Sequence, residues 1–329
     1  MSTRRLLAVV VLVPLLAAVA LWAFAWPAAR TAPRDLPLGV AGPATATAQV
    51  EQQLRRHEGA FEIHRYADEA AARSAIEDRD VFGAVVVTSQ GPELLTASAA
   101  SPVVAQLLQQ AVTQQAAASG AEVKVVDVVA TPASDPRGAA LSSSVLPLAL
   151  AGLVAGAAVT LLGLRGLRAV TALVVVAALV GVIAAALAHS WLGALTGDWW
   201  AEAGALGLAT LAVSAAVAGL AALVGPAGIG AVAFLVMFLG NPFSGAATAP
   251  QLLPEPVGTI GQWLPPGASA TLLRSVSFFD GAAATGPALA LTWWAVLGLG
   301  AVIAGSALRR ERATKTTSST AEPALTPVG

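Results

Sequence analysis

Five long, predominantly apolar stretches of this chain carry no Asp, Glu, Lys or Arg: Leu6 to Ala29, Gly138 to Leu164, Ala169 to Gly197, Ala203 to Pro254 and Gly281 to Leu308. Nothing else in the sequence limits its fold so tightly. A helix needs about 20 apolar residues to cross the ~30 Å hydrocarbon layer of a bilayer. The gaps hold six such segments, because the fourth has room for two. Charged residues crowd into Arg30 to Arg137 and the two ends, and over the whole chain they make up 11%, against about 25% in an ordinary soluble domain. The expected fold is therefore membrane α-helical. It has six transmembrane helices and an extracytoplasmic α/β domain inserted between the first and the second.

The first segment, Leu6 to Trp26, follows a short basic head. A secretory signal peptide has an apolar core of about 7–15 residues. This one is longer and reads as a retained anchor (residues 1–29), while Arg4-Arg5 and the Ala-rich exit keep cleavage open. Residues 30–140 alternate strand and helix patterns, which argues an α/β domain. Leu36, Leu38 and Val40 alternate as a strand, and so do Phe61 and Ile63. Val81 to Val87 is a continuous apolar run that suits a central strand. Further strands are expected at Glu93 to Ala97 and Glu122 to Val129. Helices are expected at Thr45 to His57, from the Asp68 cap to Asp78, and after Ser101-Pro102, an N-cap with proline at the first helical position. Strand order is not readable.

Residues 141–310 form the five-span remainder, and 311–329 a Ser/Thr/Pro-containing cytoplasmic tail expected to be disordered. Gly152-Leu-Val-Ala-Gly156 signals close helix packing. With six spans, Arg4, Arg5, Arg165, Arg168 and the cluster from Arg309 to Lys315 fall on one side, which should be cytoplasmic. All eight tryptophans then fall near the opposite interface, where indole rings favour the headgroup level. The chain is expected in the plasma membrane with both termini inside.

Much chemistry is excluded. Net charge is −1, so nucleic-acid binding has no electrostatic support. There is no cysteine for a disulfide or thiolate, no phosphate-binding Gly-x-x-x-x-Gly-Lys loop, no His-Glu-x-x-His and no Gly-x-Ser-x-Gly. The apolar segments hold no acidic residue for an intramembrane proton relay. Neither enzymatic activity nor a cofactor or metal is expected. His189 with Asp198 and Glu202 could form a proton site at the outer surface, or simply a polar loop among headgroups.

The strongest local feature is Gly240-Asn-Pro-Phe-Ser-Gly245, which interrupts an apolar run, Ile229 to Leu239, too short to cross alone. Asn241 is the only asparagine in the chain, and Pro242 lacks the amide proton that a helix needs. Asn241, Pro242, Ser244 and Gly245 read either as a helix stop at the outer interface or as unwound backbone lining a cavity or gate. The Pro/Gly-rich segment after it (residues 245–285) reads as interfacial. Within it, Gln262 to Gly267, with Pro265, Pro266 and Gly267, looks like an amphipathic stretch on or dipping into the outer leaflet, anchored by Arg274. These eight residues are the candidate substrate path or gate.

Together these motifs resemble the phage-infection-protein-like membrane proteins, which are related to type-2 ABC exporter permeases. The likeness runs through Leu36-Pro-Leu-Gly-Val40, Ala71-Ala-Arg-Ser-Ala-Ile76, Phe82-Gly-Ala-Val-Val-Val87 and Asn241-Pro-Phe-Ser-Gly245. It continues through Pro250, Leu253-Pro254, Leu264-Pro-Pro-Gly267, Leu273-Arg274-Ser275 and Phe278-Phe279. The resemblance implies one span, a large external domain, then five spans. It also implies a permease half that pairs with a second copy or a related permease, borrows a separate ATPase and exports an apolar or amphipathic compound. The chain departs from that pattern in two places: five residues precede the first span, and the first cytoplasmic loop is little more than Arg165 to Arg168. A non-transporting envelope scaffold or receptor acting through the external domain is the other reading.

Overall fold

The computed structural model describes residues 3–89, 91–119 and 122–320. A long helix, α1 (Thr3–Ala29), leads into a five-stranded sheet with three helices: β1 (Leu36–Ala41), α2 (Ala44–Arg55), β2 (Phe61–Tyr66), α3 (Glu69–Glu77), β3 (Gly83–Thr88), β4 (Gly91–Thr96), α4 (Pro102–Ser119) and β5 (Lys124–Asp127). The strand order is β2-β1-β3-β4-β5; all neighbours are parallel except the β3–β4 hairpin. Each strand and helix expected from the alternation is present. The period of two sorts the side chains. Ala84, Val86 and Leu95 pack with Ala72 and Ile76 of α3 on one face, while Val85, Leu94, Leu36 and Leu38 pack with Val104 and Leu108 of α4 on the other.

An ion pair ties the edge strand β2 to α2. Arg65 of β2 donates from Nε to Glu51 Oε1 of α2 at 2.6 Å, and its Nη2 donates to Oε2. That hydrogen bond, ahead of any opposing effect of burial, holds the Glu51 carboxyl below its ordinary value of 4.5. A depressed folded-state pKa stabilises in full above the unfolded value and is lost as pH falls through the folded one. Glu51→Gln should therefore lower the thermal midpoint of the domain at pH 7, with the gap to wild type closing as the melts are taken down to pH 3. An equal gap at both pH values would contradict this.

Among the described residues, five helices are long and apolar enough to cross a membrane, so the chain is a multi-pass membrane protein. They are α1, α5 (Ala139–Leu161), α6 (Gly166–Ala185, prolonged by a π-helical turn, Ala186–Trp191), α7 (Trp199–Val224) and α11 (Thr285–Thr320). α7 is central, with 67% of its span buried, against 6% for α1. Small residues set its contacts. A Cβ on Gly156 of α5 would lie 2.6 Å from the Ser214 carbonyl oxygen, and one on Gly298 of α11 would lie 2.3 Å from the Ala215 carbonyl carbon. The Gly152/Gly156 signal is thus a true helix–helix seam onto α7. Valines and leucines such as Val175 and Leu179 of α6 face outward, as does Ile183.

Hydrogen bonds between the helix ends show which of them lie together. At the domain end, Thr196 Oγ1 donates to Ser277 O at 3.2 Å, and Ser134 Oγ donates to Gly193 O. At the other end, Gly166 N donates to Ser306 Oγ at 2.8 Å, and Arg309 Nη2 to Ala222 O at 3.1 Å. Trp22 and Trp26 sit in the last turns of α1, Trp191 and Trp199-Trp200 flank the loop between α6 and α7, and Trp293-Trp294 lie early in α11. α11 does not stop at Leu308 but stays helical to Thr320, so the first part of the expected disordered tail is helix; residues 321–329 lie outside the described residues. Good helix formers (Arg309, Glu311, Arg312, Ala313) carry it on.

Candidate functional site

The interrupted run folds as the pattern of Gly240 to Gly245 suggests. α8 (Ala227–Phe234) gives way to a π-helical stretch, Leu235–Gly240, and stops where Pro242 removes a donor. Eight residues of α-helix and six of π-helix cover about 21 Å at ~1.5 Å per residue, short of a crossing. Asn241 N closes the π turn onto Val236 O at 2.9 Å, and Ser244 Oγ donates to Asn241 O at 2.7 Å. Gly245 takes φ +64°, a left-handed conformation that glycine adopts without strain, and the chain turns there into a 3-10 turn, Pro250–Leu252.

The segment beyond that turn differs from the interfacial stretch expected. It splits at Leu264 into two short helices, α9 (Val257–Trp263) and α10 (Pro265–Phe278). α10 is enclosed by protein. Leu272, Leu273, Ala268 and Ala270 are buried against Leu141 and Val145 of α5, Leu206 and Ala209 of α7, and Leu291 of α11. A sequence that mixes Leu with Ser, Thr and Arg reads as weakly amphipathic locally, but here packing surrounds it. Pro265, Pro266 and Gly267 are buried at its start, where Pro266 closes on Gly240. Arg274 is 5% exposed, so it is an interior residue and not a headgroup anchor.

Beneath the α/β domain this arrangement leaves a cavity of about 400 Å³. It is lined by Arg79 and Phe82 of the domain, Gln262 and Trp263 of α9, Thr271 and Arg274 of α10, and the first turns of α11. Arg274 Nη2 donates to Ala246 O at 3.0 Å, and its Nε has no partner. Gln262 Nε2 donates to Ser244 O at 2.9 Å and its Oε1 accepts from Thr271 Oγ1 at 2.6 Å. The sequence candidates therefore split. Arg274 faces the cavity. Asn241, Pro242, Ser244, Gly245, Pro265, Pro266 and Gly267 do not line it, and the break contributes from behind, through the backbone carbonyls of Ser244 and Ala246.

Sequence reasoning missed Arg79. The end of α3 is a Schellman motif: Arg79 N donates to Ile76 O at 3.1 Å and Asp80 N to Ala75 O at 2.9 Å. The residue at its pivot takes φ +65°, where glycine is the usual choice. An arginine held there costs of order 1 kcal/mol or more in backbone strain and points to a demand on its side chain. That side chain reaches across to α10. Nη1 donates to Thr271 O at 3.2 Å and to Ser275 Oγ, and the guanidinium carbon stands 5.1 Å from the Phe279 ring centroid. Desolvation pushes its pKa down to about 10. Arg274 is pushed down to about 10 by desolvation first and then by the Arg79 charge. Both stay cationic at neutral pH. The local clue was an arginine in Glu77-Asp78-Arg79-Asp80, directly after a helix and before an apolar strand.

A second polar cluster sits at the same end of the bundle. Glu202, fully buried, accepts from Gly197 N at 2.9 Å and meets His189 Nδ1 at 2.8 Å. Asp198 is not part of that pair; it caps α7 by accepting from Ala201 N at 2.8 Å. Comparison with family models, with characterised proteins and with solved structures finds no match to this chain.

Proposed function

We propose that this chain is the permease-like subunit of an ABC-type exporter, moving an apolar or amphipathic substrate with a separate ATPase. In this reading the chain crosses the membrane six times. The short α8 limb completes the fifth crossing with the break, both tails lie in the cytoplasm, and the α/β domain lies outside. The observation that carries it is the cavity under that domain. A broken helix, the half-exposed α9, the buried α10 and the domain's own Arg79 converge on one mixed polar and apolar space at the domain end of the bundle. Irregular backbone within a membrane domain is tolerated where protein or a cavity surrounds it. The exposed apolar flank of α1, from Val9 to Leu16, leaves a face for lipid or for a second copy or related permease.

The second reading, a non-transporting envelope scaffold or receptor, is favoured by the far end of the bundle. There the connection from α5 to α6 is only Leu162 to Arg165, and α7 passes to α8 through Gly225-Pro226. An ATPase has little loop to grip. Purification of the full chain from its native membrane in mild detergent tests the two. A stoichiometric ATP-hydrolysing subunit is the expected result. Its absence, together with partners lost on deleting Arg34 to Val129, would replace the exporter by the scaffold.

A further inference from the structure

Two guanidinium groups share this cavity, and no carboxylate among the described residues lies within 4.0 Å of either. Asp78 and Asp80 flank Arg79, and Asp280 follows Phe279, yet none pairs with them. Buried cations are normally paired, because an uncompensated one loses its hydration with no return. A guanidinium also carries five donors. Arg274 directs Nη2 to Ala246 O and leaves Nε without a partner, though the residue is only 5% exposed. Arg79 occupies the left-handed pivot of the turn that ends α3, where glycine is the usual choice. The like charges also disfavour each other, which is why Arg79 depresses Arg274. The cost of the unpaired charges, of the unmet Arg274 donor and of the like-charge repulsion falls when an anion bridges the two.

Apart from the neutral polar side chains of Gln251, Gln262 and Thr271, the rest of the lining is apolar. Phe82, Pro250, Pro287 and Ala290 surround the polar floor, and Trp263, 68% exposed, stands at its edge. Trp294 Nε1 fixes that edge by donating to Trp263 O at 2.8 Å. Exposed indoles mark the headgroup level of a bilayer. A free inorganic anion would gain nothing from these walls, whereas an acyl-bearing one would lay its chain along them. A volume of about 400 Å³ falls within the roughly 300–1,000 Å³ of ligand pockets.

We propose that the cavity beneath the α/β domain binds the anionic headgroup, phosphate or carboxylate, of a membrane amphiphile, clamped between Arg79 and Arg274. The proposal rests on the exporter reading only in calling that amphiphile a substrate; the binding itself requires no ATPase.

The test is a binding titration on the purified full chain in phosphatidylcholine nanodiscs, with no ATPase present. The probes are dioleoyl phosphatidic acid, oleate and inorganic phosphate. Saturable binding of one phosphatidic acid or oleate per chain is expected, with inorganic phosphate much weaker. Arg79→Gln and Arg274→Gln should each weaken it about tenfold to a hundredfold, the loss of a charge-assisted hydrogen bond. Arg274→Gln could disturb packing, so Arg79→Gly is the decisive variant. Glycine suits the φ of +65° and keeps the turn that ends α3, while the contacts to Thr271, Ser275 and Phe279 go with the guanidinium; binding should be lost in a variant that still purifies as a folded, monodisperse chain. Unchanged binding by Arg79→Gly, no saturable binding by wild type, or inorganic phosphate binding as well as the lipids would each overturn the proposal. None of these outcomes bears on whether an ATPase co-purifies.

Discussion

Gly298→Leu should abolish the folded bundle, while Gly300→Leu, two residues further along the same helix, should leave it intact. A Cβ at 298 would lie 2.3 Å from the carbonyl carbon and 2.5 Å from the carbonyl oxygen of Ala215, and 2.6 Å from Ala216 N. These are backbone atoms of α7 and cannot swing away as a side-chain tip would. α7 and α11 would have to part along their longest shared seam. Overpacking typically costs about 1–3 kcal/mol where side chains can adjust. Where only backbone can give, the cost should exceed about 3 kcal/mol, because helix association in lipid depends on close packing of small residues. Gly300 has nothing within 4 Å of such a Cβ. The check is the yield of monodisperse protein and its heat-denaturation midpoint in detergent. Equal behaviour of the two variants would show that the α7–α11 seam is not closed.

Phe279→Ala should loosen the α/β domain from the membrane helices without unfolding either. Phe279, 5% exposed, is contributed from the end of α10 but packs with Ala72, Ile76 and Val86 of the domain and under the Arg79 guanidinium. Its removal should cost about 3–5 kcal/mol, the usual range for a buried phenylalanine. Leu252 enters the opposite face of the sheet beside Leu36 and Leu38, and its segment is held by Ala32 N to Leu252 O at 3.1 Å and Arg34 N to Gln251 O at 3.0 Å. Leu252→Ala should remove a further ~2–5 kcal/mol from the same docking. Hydrogen exchange should speed up in β1, β3 and residues 249–252 in the double variant, with α7 unaffected. Unchanged protection in those segments would mean that the domain holds its place by other contacts.

Much of this architecture can be read from local pattern. Charge-free gaps that are also poor in Gln, Ser and Thr mark the crossing helices, because polar groups are costly in hydrocarbon wherever they occur. Alternation at Leu36 to Val40 and the apolar run ending at Val87 mark strands, because a sheet buries one or both faces by a period of two. Pro242 marks the break because a missing amide proton acts on its own turn. The site is less legible because its partners are distant in sequence. Arg79 meets α10 across 192 and 196 residues, at Thr271 O and Ser275 Oγ, and nothing in the turn itself names them. Arg274 reads equally well as a headgroup anchor or an interior cation; only the surrounding of α10 by α5, α7 and α11 decides. The order of the strands is settled likewise by pairings between remote segments and by no residue within one strand.

Six crossings require the α/β domain and the α5–α6 turn to lie on opposite sides of the bilayer. The chain has no cysteine, so single cysteines can be placed without background. Glu58 lies exposed on the domain, and Arg168 lies exposed at the start of α6. With a membrane-impermeant maleimide on sealed spheroplasts, Glu58→Cys should label at once and Arg168→Cys only after permeabilisation. Labelling of both before permeabilisation, or of Arg168→Cys alone, would contradict the six-crossing topology and the cavity's place at the outer face.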